Sequence, residues 1–292
     1  MPNDLRLKTL LVIDEIKSFR RVIVALSGGV DSALVACLAK IALDNQVIAV
    51  TANSPALPSE ELKETKLLAK QIGIEHVVIQ TEELQDLNYA SNPPNRCYFC
   101  KKELSEKLKQ LAATMNAGFI IDGTNADDLS GHRPGTAALS ENGVRSPLAE
   151  ANITKAEVRQ LARLFGLQNF DKPSMPCLAS RVQYGLEITP DRLLRIEKAE
   201  SFIRNLTRVR ELRVRDHGNL ARIEVGKDER SVFFDRELLD SVSTALRDLG
   251  FLYVALDVTG YRTGSMDEPV KNGRSDSLDL EGSKANRHEQ EV

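Results

Sequence analysis

Residues 27–32, Ser-Gly-Gly-Val-Asp-Ser, join an apolar run at 21–26 to an apolar helical pattern at 31–43. The run predicts a buried parallel strand, and the pattern predicts a helix that is apolar on nearly all sides. Two glycines between such elements let the backbone turn sharply and come close to a ligand, because no Cβ stands in the way. The unpaired N–H groups and partial positive charge of the helix N-terminus suit an anion such as phosphate. The hydroxyls of Ser27 and Ser32 add donors on the same rim, so this junction predicts a phosphate-binding loop.

The loop differs from the Walker-type phosphate loop, in which a Lys follows the last glycine directly. No Lys follows Gly28 and Gly29, so transfer of a γ-phosphate is the weaker interpretation. A plain strand–helix turn is the alternative to nucleotide binding, because glycine is common in tight turns. The agreement of the motif with the strand and helix around it favours nucleotide binding.

Strand and helix patterns alternate along the first half of the chain. Strands are predicted at 46–51, 76–79 and 118–123, and helices at 58–72, 97–115 and 154–165. This alternation predicts a parallel sheet with helices on both faces. Ligands of such sheets lie beyond the carboxyl ends of the strands, which adds 51–53 and 123–128 to the candidate site. Asp127 or Asp128 is a candidate magnesium ligand there, and a solvated loop carboxylate is the alternative.

The pattern changes after Gly185. The predicted elements are a helix that opens at 189–191 and runs to about 206, strands at 212–215 and 221–225 joined by a hairpin turn at 216–219, a helix at 236–249 and a strand at 253–256. The two hairpin strands alternate as half-exposed strands do. We therefore expect a larger α/β domain over 1–185, a smaller α+β domain over 186–265 and a disordered tail over 266–292.

The composition excludes several classes of protein. The net charge of −3 and the pI near 5.9 give no general attraction to nucleic acid or to an anionic membrane. No apolar stretch approaches the ~20 residues that a membrane span needs, and the N-terminus lacks the apolar core of a signal peptide. We expect a cytoplasmic protein that binds neither nucleic acid nor membrane.

Four cysteines in a cytoplasmic chain point to metal binding or catalysis rather than to disulfides. Cys37 lies within the apolar helix and is expected in the core. Cys97 and Cys100 form a C-x-x-C motif at a predicted helix start, where the helix dipole favours thiolates. Cys177 follows in a segment without periodicity. Three thiolates suit a zinc site with a fourth ligand, a redox pair plus a nucleophile, or three irons of a [4Fe–4S] cluster.

Several segments resemble known enzymes. Residues 27–32 resemble the phosphate loop of the PP-loop ATP pyrophosphatases, whose domain has the HUP-like adenine nucleotide alpha hydrolase fold. Residues 133–135 (Arg-Pro-Gly), Ser180-Arg181 and 260–264 (Gly-Tyr-Arg-Thr-Gly) narrow the resemblance to the LarE family. This resemblance extends over both predicted domains.

The resemblance implies an ATP-dependent sulfur transferase of nickel-pincer nucleotide cofactor biosynthesis. Members of the family adenylate a carboxylate of a pyridinium biscarboxylic acid mononucleotide with ATP and magnesium, release pyrophosphate, and convert the carboxylate to a thiocarboxylate. One branch sacrifices the sulfur of a single cysteine at the position of Cys177. The branch with a C-x-x-C motif, which this chain resembles, holds a [4Fe–4S] cluster on three cysteines, here Cys97, Cys100 and Cys177, and takes sulfide from a donor. The family's tendency to assemble further implies a homo-oligomer.

The resemblance also implies roles for individual residues. ATP contacts are expected at Ala25, Ser27, Gly28, Gly29, Asp31, Ser32, Thr51, Gly123 and Asp127. Contacts with the anionic substrate are expected at Arg181, Arg213 and Arg215. Arg213 and Arg215 are two apart on a predicted strand and therefore share one face, for which a solvated strand face is the alternative. Glu200 and Glu224 match acidic residues near a metal position in members of the family.

Other functions stay open. A tRNA thiolase also combines a PP-loop with cysteines, but it needs a basic face or an RNA-binding module, which the net charge of −3 does not favour. An ammonia-using synthetase for NAD or GMP needs no C-x-x-C motif. A non-catalytic adenine-nucleotide-binding protein with structural zinc would bind ATP without releasing pyrophosphate.

Overall fold

The computed structural model of the chain describes residues 1–129 and 134–268. Four parallel strands form the centre of its first half: β1 (Val22–Ala25), β2 (Val47–Asn53), β3 (Glu75–Gln80) and β4 (Phe119–Ile121). Their spatial order is β3-β2-β1-β4, and each neighbouring pair is parallel. The parallel α/β fold that the sequence predicts is confirmed.

Helices cover both faces of this sheet. They are α1 (Asn3–Ser18), α2 (Val30–Leu43), α3 (Ser59–Ile72), α4 (Leu87–Ala90), α5 (Arg96–Met115), α6 (Ala126–Leu129), α7 (Pro134–Glu141), α8 (Pro147–Glu150) and α9 (Lys155–Leu164). Side chains of α1, α2 and α9 share one apolar cluster with the sheet, and side chains of α5 and α7 share another. Among the described residues, no helix combines the length and the apolar character that crossing a membrane requires.

The strand β1 shows how the two clusters are separated. Successive side chains of a strand point to opposite faces of the sheet. Val22 and Val24 accordingly belong to the cluster that contains Leu38 of α2, whereas Ile23 belongs to the cluster that contains Leu108 of α5. An uninterrupted apolar run is therefore the pattern that a strand buried on both faces requires.

A second sheet follows further along the chain. Its strands are β5 (Leu212–His217), β6 (Leu220–Val225) and β7 (Tyr253–Leu256), and the helices of this part of the chain are α10 (Pro190–Thr207) and α11 (Arg236–Asp248). β5 and β6 are antiparallel, β6 and β7 are parallel, and the spatial order is β5-β6-β7. This sheet has an apolar cluster of its own, which includes Val214, Ile223 and Leu246.

The structure corrects two details of the predicted hairpin. The strands extend to His217 and from Leu220, so Gly218 and Asn219 alone make the turn. The expectation that β5 is half exposed is wrong, because its residues from Leu212 to Asp216 are all buried. The buried positions include two arginines, whose guanidinium groups find hydrogen-bond acceptors inside the protein. Alternation of arginine with apolar residues therefore does not mark a solvated face here.

Some predictions concern the limits of the described structure. Arg133 and positions 269–292 of the predicted tail lie outside the described residues. Met266 is only 9% exposed, and Asp267 accepts a hydrogen bond from the Tyr184 hydroxyl at 2.8 Å. The described chain therefore stays packed against the protein as far as these residues. The division into domains at residue 185 stays a prediction.

The end of β4 packs directly against the start of α2. A Cβ on Gly123 would lie 2.4 Å from Ser32 N and 2.8 Å from Ser32 Cα, both of which are backbone atoms. Backbone atoms of a helix cannot move aside as a flexible side chain does. Glycine at this position therefore sets how closely β4 approaches the phosphate loop.

We expect Gly123→Ala to lower the free energy of unfolding by about 1–3 kcal/mol, because the added methyl group overpacks this contact. Gly118→Ala is the matched control, since a Cβ on Gly118 would meet no atom within 4 Å. The control should change stability by less than about 0.5 kcal/mol. Urea unfolding of both variants gives the comparison, and equal stability of the two would contradict the prediction.

Candidate functional site

The phosphate loop joins the end of β1 to the start of α2. Gly28 has a φ of +80°, which favours glycine, and a Cβ there would lie 2.2 Å from Thr65 Oγ1 of α3. Ser32 Oγ accepts a hydrogen bond from Ser27 N at 3.1 Å and donates one to Gly29 O at 3.1 Å. The loop is therefore closed by its own serines, and both its backbone conformation and its packing require Gly28.

The residues predicted to bind ATP lie together at the carboxyl ends of β1, β2 and β4. Ala25 ends β1, Thr51 lies in β2, and Gly123 packs against the first turn of α2. Thr51 is buried, and its hydroxyl donates to Leu26 O at 2.7 Å. That hydroxyl is therefore already used between β1 and β2. The structure brings these residues together, and their contacts with ATP stay a prediction.

Opposite charges meet beside the loop. Asp31, in the first turn of α2, accepts a hydrogen bond from Asn125 Nδ2 at 3.1 Å and forms an ion pair with Lys155 Nζ. The backbone N–H of Lys155 donates to Asp127 Oδ2 at 2.8 Å, which places Asp127 at the N-terminus of α9. Lys155 is not among the residues predicted from the sequence. Asp31 and Lys155 are 124 positions apart, so no local pattern connects them.

The carboxylates beside the loop suit magnesium only in company with a ligand. Magnesium prefers oxygen ligands and is usually bound through one or two carboxylates together with substrate phosphates. Across residues 1–129 and 134–268, no three Asp, Glu, His or Cys side chains are placed to hold a metal ion. A magnesium site beside the loop stays a prediction, and it would need phosphate oxygens of a nucleotide in addition to these carboxylates.

The three cysteines of interest lie near one another. Cys97 and Cys100 occupy the first turn of α5, and Cys177 lies directly before a short 3₁₀ turn at Leu178–Arg181. Cys100 is half-buried and packs against the apolar cluster that contains Leu178, whereas Cys97 and Cys177 are exposed. Cys37 is half-buried in α2, away from this group. The structure therefore brings together the cysteines that the sequence analysis selected.

Burial determines the protonation of the two α5 cysteines. It raises the pKa of Cys97 and raises the pKa of Cys100 to about 12, and a negative charge on Cys177 raises the pKa of both. Cys97 touches solvent, but protein surrounds the rest of its side chain. Burial thus favours the neutral thiols, opposite to the effect expected of the helix start, because the charged form loses hydration.

The same arrangement does not fit a metal cluster as it stands. Cysteine thiolates are the ligands that iron–sulfur clusters require, but among the described residues no three metal-binding side chains converge on one point. Cys97, Cys100 and Cys177 are neighbours without forming such a set. Binding a cluster would require their side chains to turn toward a common centre and to lose their protons.

The three arginines predicted to bind substrate hold the backbone around Cys177. Each donates to a carbonyl of residues 174–180: Arg181 Nη1 to Cys177 O at 3.1 Å, Arg213 Nη2 to Ser174 O at 2.8 Å and Arg215 Nη1 to Ser180 O at 3.2 Å. All three side chains are buried. Their position next to the cysteine segment is thus clear, and their contact with a substrate stays a prediction.

Two buried carboxylates balance these arginines. Glu200 Oε1 lies 3.0 Å from Arg181 Nε, and Glu224 Oε2 lies 2.7 Å from Arg215 Nη2. Burial raises the pKa of Glu200, but the charges of Arg181, Arg204 and Arg213 and the hydrogen bond from Arg181 together outweigh it, so the pKa is lowered overall. Glu200 and Glu224, expected near a metal position, are therefore engaged with arginines in this structure.

Arg213 is less completely balanced. Burial first, and then the positive charge of Arg181, lower the pKa of Arg213 to about 10. Its guanidinium carbon lies 5.1 Å from the centre of the Tyr261 ring, which contributes a cation–π contact. A buried arginine with a depressed pKa gains stability from an anion beside it, because the anion favours its charged form.

Hydrogen bonds join the segment just before the cysteine helix to the chain that follows Cys177. Asn92 is fully buried, and its Nδ2 donates to Gln183 O at 2.8 Å and to Leu186 O at 3.0 Å. The backbone N–H of Ile188 donates to Ala90 O at 2.8 Å. The sequence analysis did not select Asn92, because a single Asn in a Pro-containing stretch resembles an ordinary turn residue.

The segment 169–178 connects the phosphate loop with the cysteines. At its start, Asn169 Nδ2 donates to Gly28 O at 3.1 Å. At its end, Leu178 N donates to Ala56 O at 2.7 Å, just beyond the end of β2. The helix α5 leads into β4, so its N-terminus also lies at the carboxyl edge of the sheet. The loop and the cysteines therefore share one edge of the sheet.

Comparison with known proteins gives matches over most of the chain. Residues 9–113 match the NAD synthase family. A pyridinium-3,5-bisthiocarboxylic acid mononucleotide synthase of Lactiplantibacillus plantarum is 36% identical over 90% of this chain and 95% of its own length. An uncharacterized protein of Synechocystis sp. is 46% identical over 85% of this chain and 92% of its own length. A GMP synthase of Aeropyrum pernix is 28% identical over 62% of this chain and 39% of its own length.

We expect Glu200→Gln to lower the free energy of unfolding by about 3–5 kcal/mol, because it leaves the fully buried Arg181 charge without its carboxylate. Arg204→Met is the matched control, since it removes from the same carboxylate a partner whose side chain is 31% exposed. The control should cost about 1 kcal/mol or less. Thermal and urea unfolding measure both effects, and a loss in Glu200→Gln no larger than in the control would show that the pair is not what holds this region.

Proposed function

The chain belongs to the LarE family, and we propose that it is an ATP-dependent sulfur transferase acting on a carboxylate of a pyridinium biscarboxylic acid mononucleotide. The observation that carries this proposal is the position of the phosphate loop and of three cysteines at one edge of one sheet. The similarity to the pyridinium-3,5-bisthiocarboxylic acid mononucleotide synthase of Lactiplantibacillus plantarum supports the choice of acceptor. The match to the NAD synthase family ends at residue 113 and therefore does not include Cys177.

The first proposed step activates the carboxylate. A carboxylate does not undergo acyl substitution readily, because its oxygen is a poor leaving group. An oxygen of the carboxylate attacks the α-phosphorus of ATP, an O–P bond forms, and the bond to pyrophosphate breaks. The N–H groups at the start of α2, the Ser27 hydroxyl and the Lys155 ammonium would stabilise the charge of the departing pyrophosphate. Magnesium bound by Asp31, Asp127 and phosphate oxygens would add further positive charge.

The second proposed step transfers sulfur. The thiolate of Cys177 attacks the carbonyl carbon of the adenylate, a C–S bond forms, and the C–O bond to AMP breaks with its electron pair leaving on AMP. Removal of the Cα proton of Cys177 then breaks its Cβ–S bond, the electron pair leaves with sulfur as the thiocarboxylate, and dehydroalanine remains in the chain. A sulfide supplied by a separate donor would give the thiocarboxylate directly and leave Cys177 intact. The hydrogen bonds from Arg181, Arg213 and Arg215 hold the carbonyls around Cys177 and so fix the position of this sulfur. We also propose that Arg213 binds an anionic group of the substrate, which its lowered pKa and its burial support.

The three cysteines are proposed to act together in sulfur delivery. Their grouping supports this, as does the effect that charge on Cys177 has on the pKa of Cys97 and Cys100. The family resemblance suggests that they hold a [4Fe–4S] cluster charged by a separate sulfide donor. It also suggests a cytoplasmic homo-oligomer. The three side chains form no ligand set in the described structure, so holding the cluster would require them to turn toward a common centre.

We expect Cys177→Ala to release pyrophosphate from ATP in a single turnover with the biscarboxylate mononucleotide, but to form the thiocarboxylate about a thousandfold more slowly or not at all. The physical reason is that adenylation uses the phosphate loop, whereas the second step needs the sulfur. Mass spectrometry of the product and a pyrophosphate assay separate the two steps. Cys37→Ala is the control and should retain both, because Cys37 lies in α2. Loss of pyrophosphate release in Cys177→Ala would contradict this division of labour.

Iron and sulfide analysis after anaerobic purification tests the cluster. A [4Fe–4S] cluster predicts about four irons per chain with the matching electronic absorption spectrum. The iron should be lost in Cys97→Ala, Cys100→Ala and Cys177→Ala and retained in Cys37→Ala. Zinc in place of iron would make the cysteines structural. Metal-free, active protein would leave Cys177 as a persulfide carrier or a sacrificial sulfur donor.

A further inference from the structure

Arg96 is a buried cation with unused hydrogen-bond donors. It is the first residue of α5, directly before Cys97, and it is 5% exposed. Within residues 1–129 and 134–268, nothing accepts a hydrogen bond from its Nε or its Nη1, and both atoms are buried. Buried polar groups in folded proteins are nearly always hydrogen-bonded, because leaving them unpaired is costly. Unused donors on a buried arginine therefore need an explanation.

The other buried arginines of this region are satisfied inside the protein. Arg181 and Arg215 each bind a buried carboxylate as well as backbone carbonyls. Arg96 instead stacks on an aromatic ring, with its guanidinium carbon 4.6 Å from the centre of the Tyr184 ring. No described carboxylate lies within ion-pair distance of it. Stacking favours the cation but leaves its in-plane N–H groups available to an acceptor.

Arg96 is a neighbour of the cysteine group, because it directly precedes Cys97 in α5. Burial lowers the pKa of Arg96, but negative charge on Tyr184, Cys177 or Cys97 raises it, and the net effect is a rise. The guanidinium is thus within electrostatic range of both exposed sulfurs. Asn92, shortly before Arg96 in the chain, is hydrogen-bonded to the chain after Cys177. An anion at the cysteines would accordingly find a preformed positive group that water does not screen.

We propose that Arg96 is an anion-binding residue of this site, which holds the carboxylate-derived oxygen of the acceptor while sulfur is transferred. This inference rests on the function proposed above and adds to it a contact with the reacting group. When sulfur attacks an activated carbonyl carbon, negative charge develops on the carbonyl oxygen, and the thiocarboxylate that forms is an anion. Donors that are already oriented and dry stabilise such charge without reorganising.

A pair of alkylating reagents tests this without ATP or substrate. Iodoacetate and iodoacetamide both attach to a thiolate with loss of iodide, but only iodoacetate carries a carboxylate next to the carbon that is attacked. Both rates depend in the same way on the exposure and on the thiolate fraction of a cysteine. The ratio of the two rates at one cysteine is therefore independent of both. Peptide mass spectrometry gives this ratio separately for Cys97, Cys177 and Cys37 in the full chain.

We expect Arg96→Met to lower the iodoacetate-to-iodoacetamide ratio at Cys97 or Cys177 about tenfold, as loss of a charge-assisted hydrogen bond predicts. Arg96→Lys should retain part of the preference, because it keeps the charge. The ratio at Cys37 should not change, and an unchanged alkylation rate there also shows that the variants are folded. Arg163→Met is the matched control, since Arg163 is exposed and lies over the Phe170 ring at 5.5 Å.

The result that overturns the proposal is a fall in both alkylation rates by the same factor in Arg96→Met. Arg96 would then act on thiolate formation and bind no carboxylate. The proposal would also be overturned if the wild-type protein showed no preference for iodoacetate over iodoacetamide at Cys97 or Cys177. Neither result bears on pyrophosphate release or on thiocarboxylate formation, so the proposed function and this inference can fail separately.

Discussion

The buried pair of Arg181 and Glu200 decides where the Cys177 sulfur lies. The segment around Cys177 has neither helix nor strand to fix it apart from one short 3₁₀ turn, so its backbone depends on hydrogen bonds from elsewhere. Arg181 supplies them from a fully buried position, which it can occupy only because Glu200 neutralises it. Glu200 in turn accepts a hydrogen bond from Val214 N of β5 at 3.1 Å. The second sheet is thereby connected, through one ion pair, to the residue proposed to carry the sulfur.

A similar dependence exists at the phosphate loop, where sterics rather than charge are decisive. Gly28 is part of the loop and Gly123 packs against it; an added Cβ would meet α3 in the first case and α2 in the second, both at less than 3 Å. The loop is thus held between two packed elements, and its N–H groups keep one orientation without a ligand. Segment 169–178 connects the fixed loop with the turn after Cys177, because it is hydrogen-bonded to Gly28 O at its start and to Ala56 O at its end. Preorganisation of both reacting groups at one sheet edge is what a two-step transfer through a short-lived adenylate requires.

The parts of this structure that could be predicted from the sequence are those that follow from the pattern of neighbouring residues. The strand β1, the loop and α2 follow from an apolar run, two glycines and a helical apolar pattern, and the parallel order follows from their alternation with further helices. Burial of Arg213 and Arg215 could not be predicted, because the partners that permit it come from β6 and from residues 174–180. Lys155 was missed for the same reason, since its carboxylate partner lies 124 positions away. The thiol form of Cys97 and Cys100 also depends on burial, which helix position alone does not reveal.

Residue type alone therefore does not identify the groups that are available to a ligand; their partners do. Its charge and its position after Cys177 make Arg181 a candidate for binding the substrate, yet its N–H groups already donate to a backbone carbonyl and to the carboxylate of Glu200. Arg96 attracted no attention in the sequence, yet two of its buried nitrogens have no acceptor among the described residues. The same reasoning applies to Asp31 and Lys155, whose charges cancel in their ion pair. A triphosphate that approaches this neutral pair can take Lys155 as its own partner only if another cation replaces it at Asp31. Under the proposed function, the magnesium that accompanies the nucleotide would be that cation: Lys155 would then pair with a phosphate and Asp31 with the metal, so that no carboxylate would be left uncompensated.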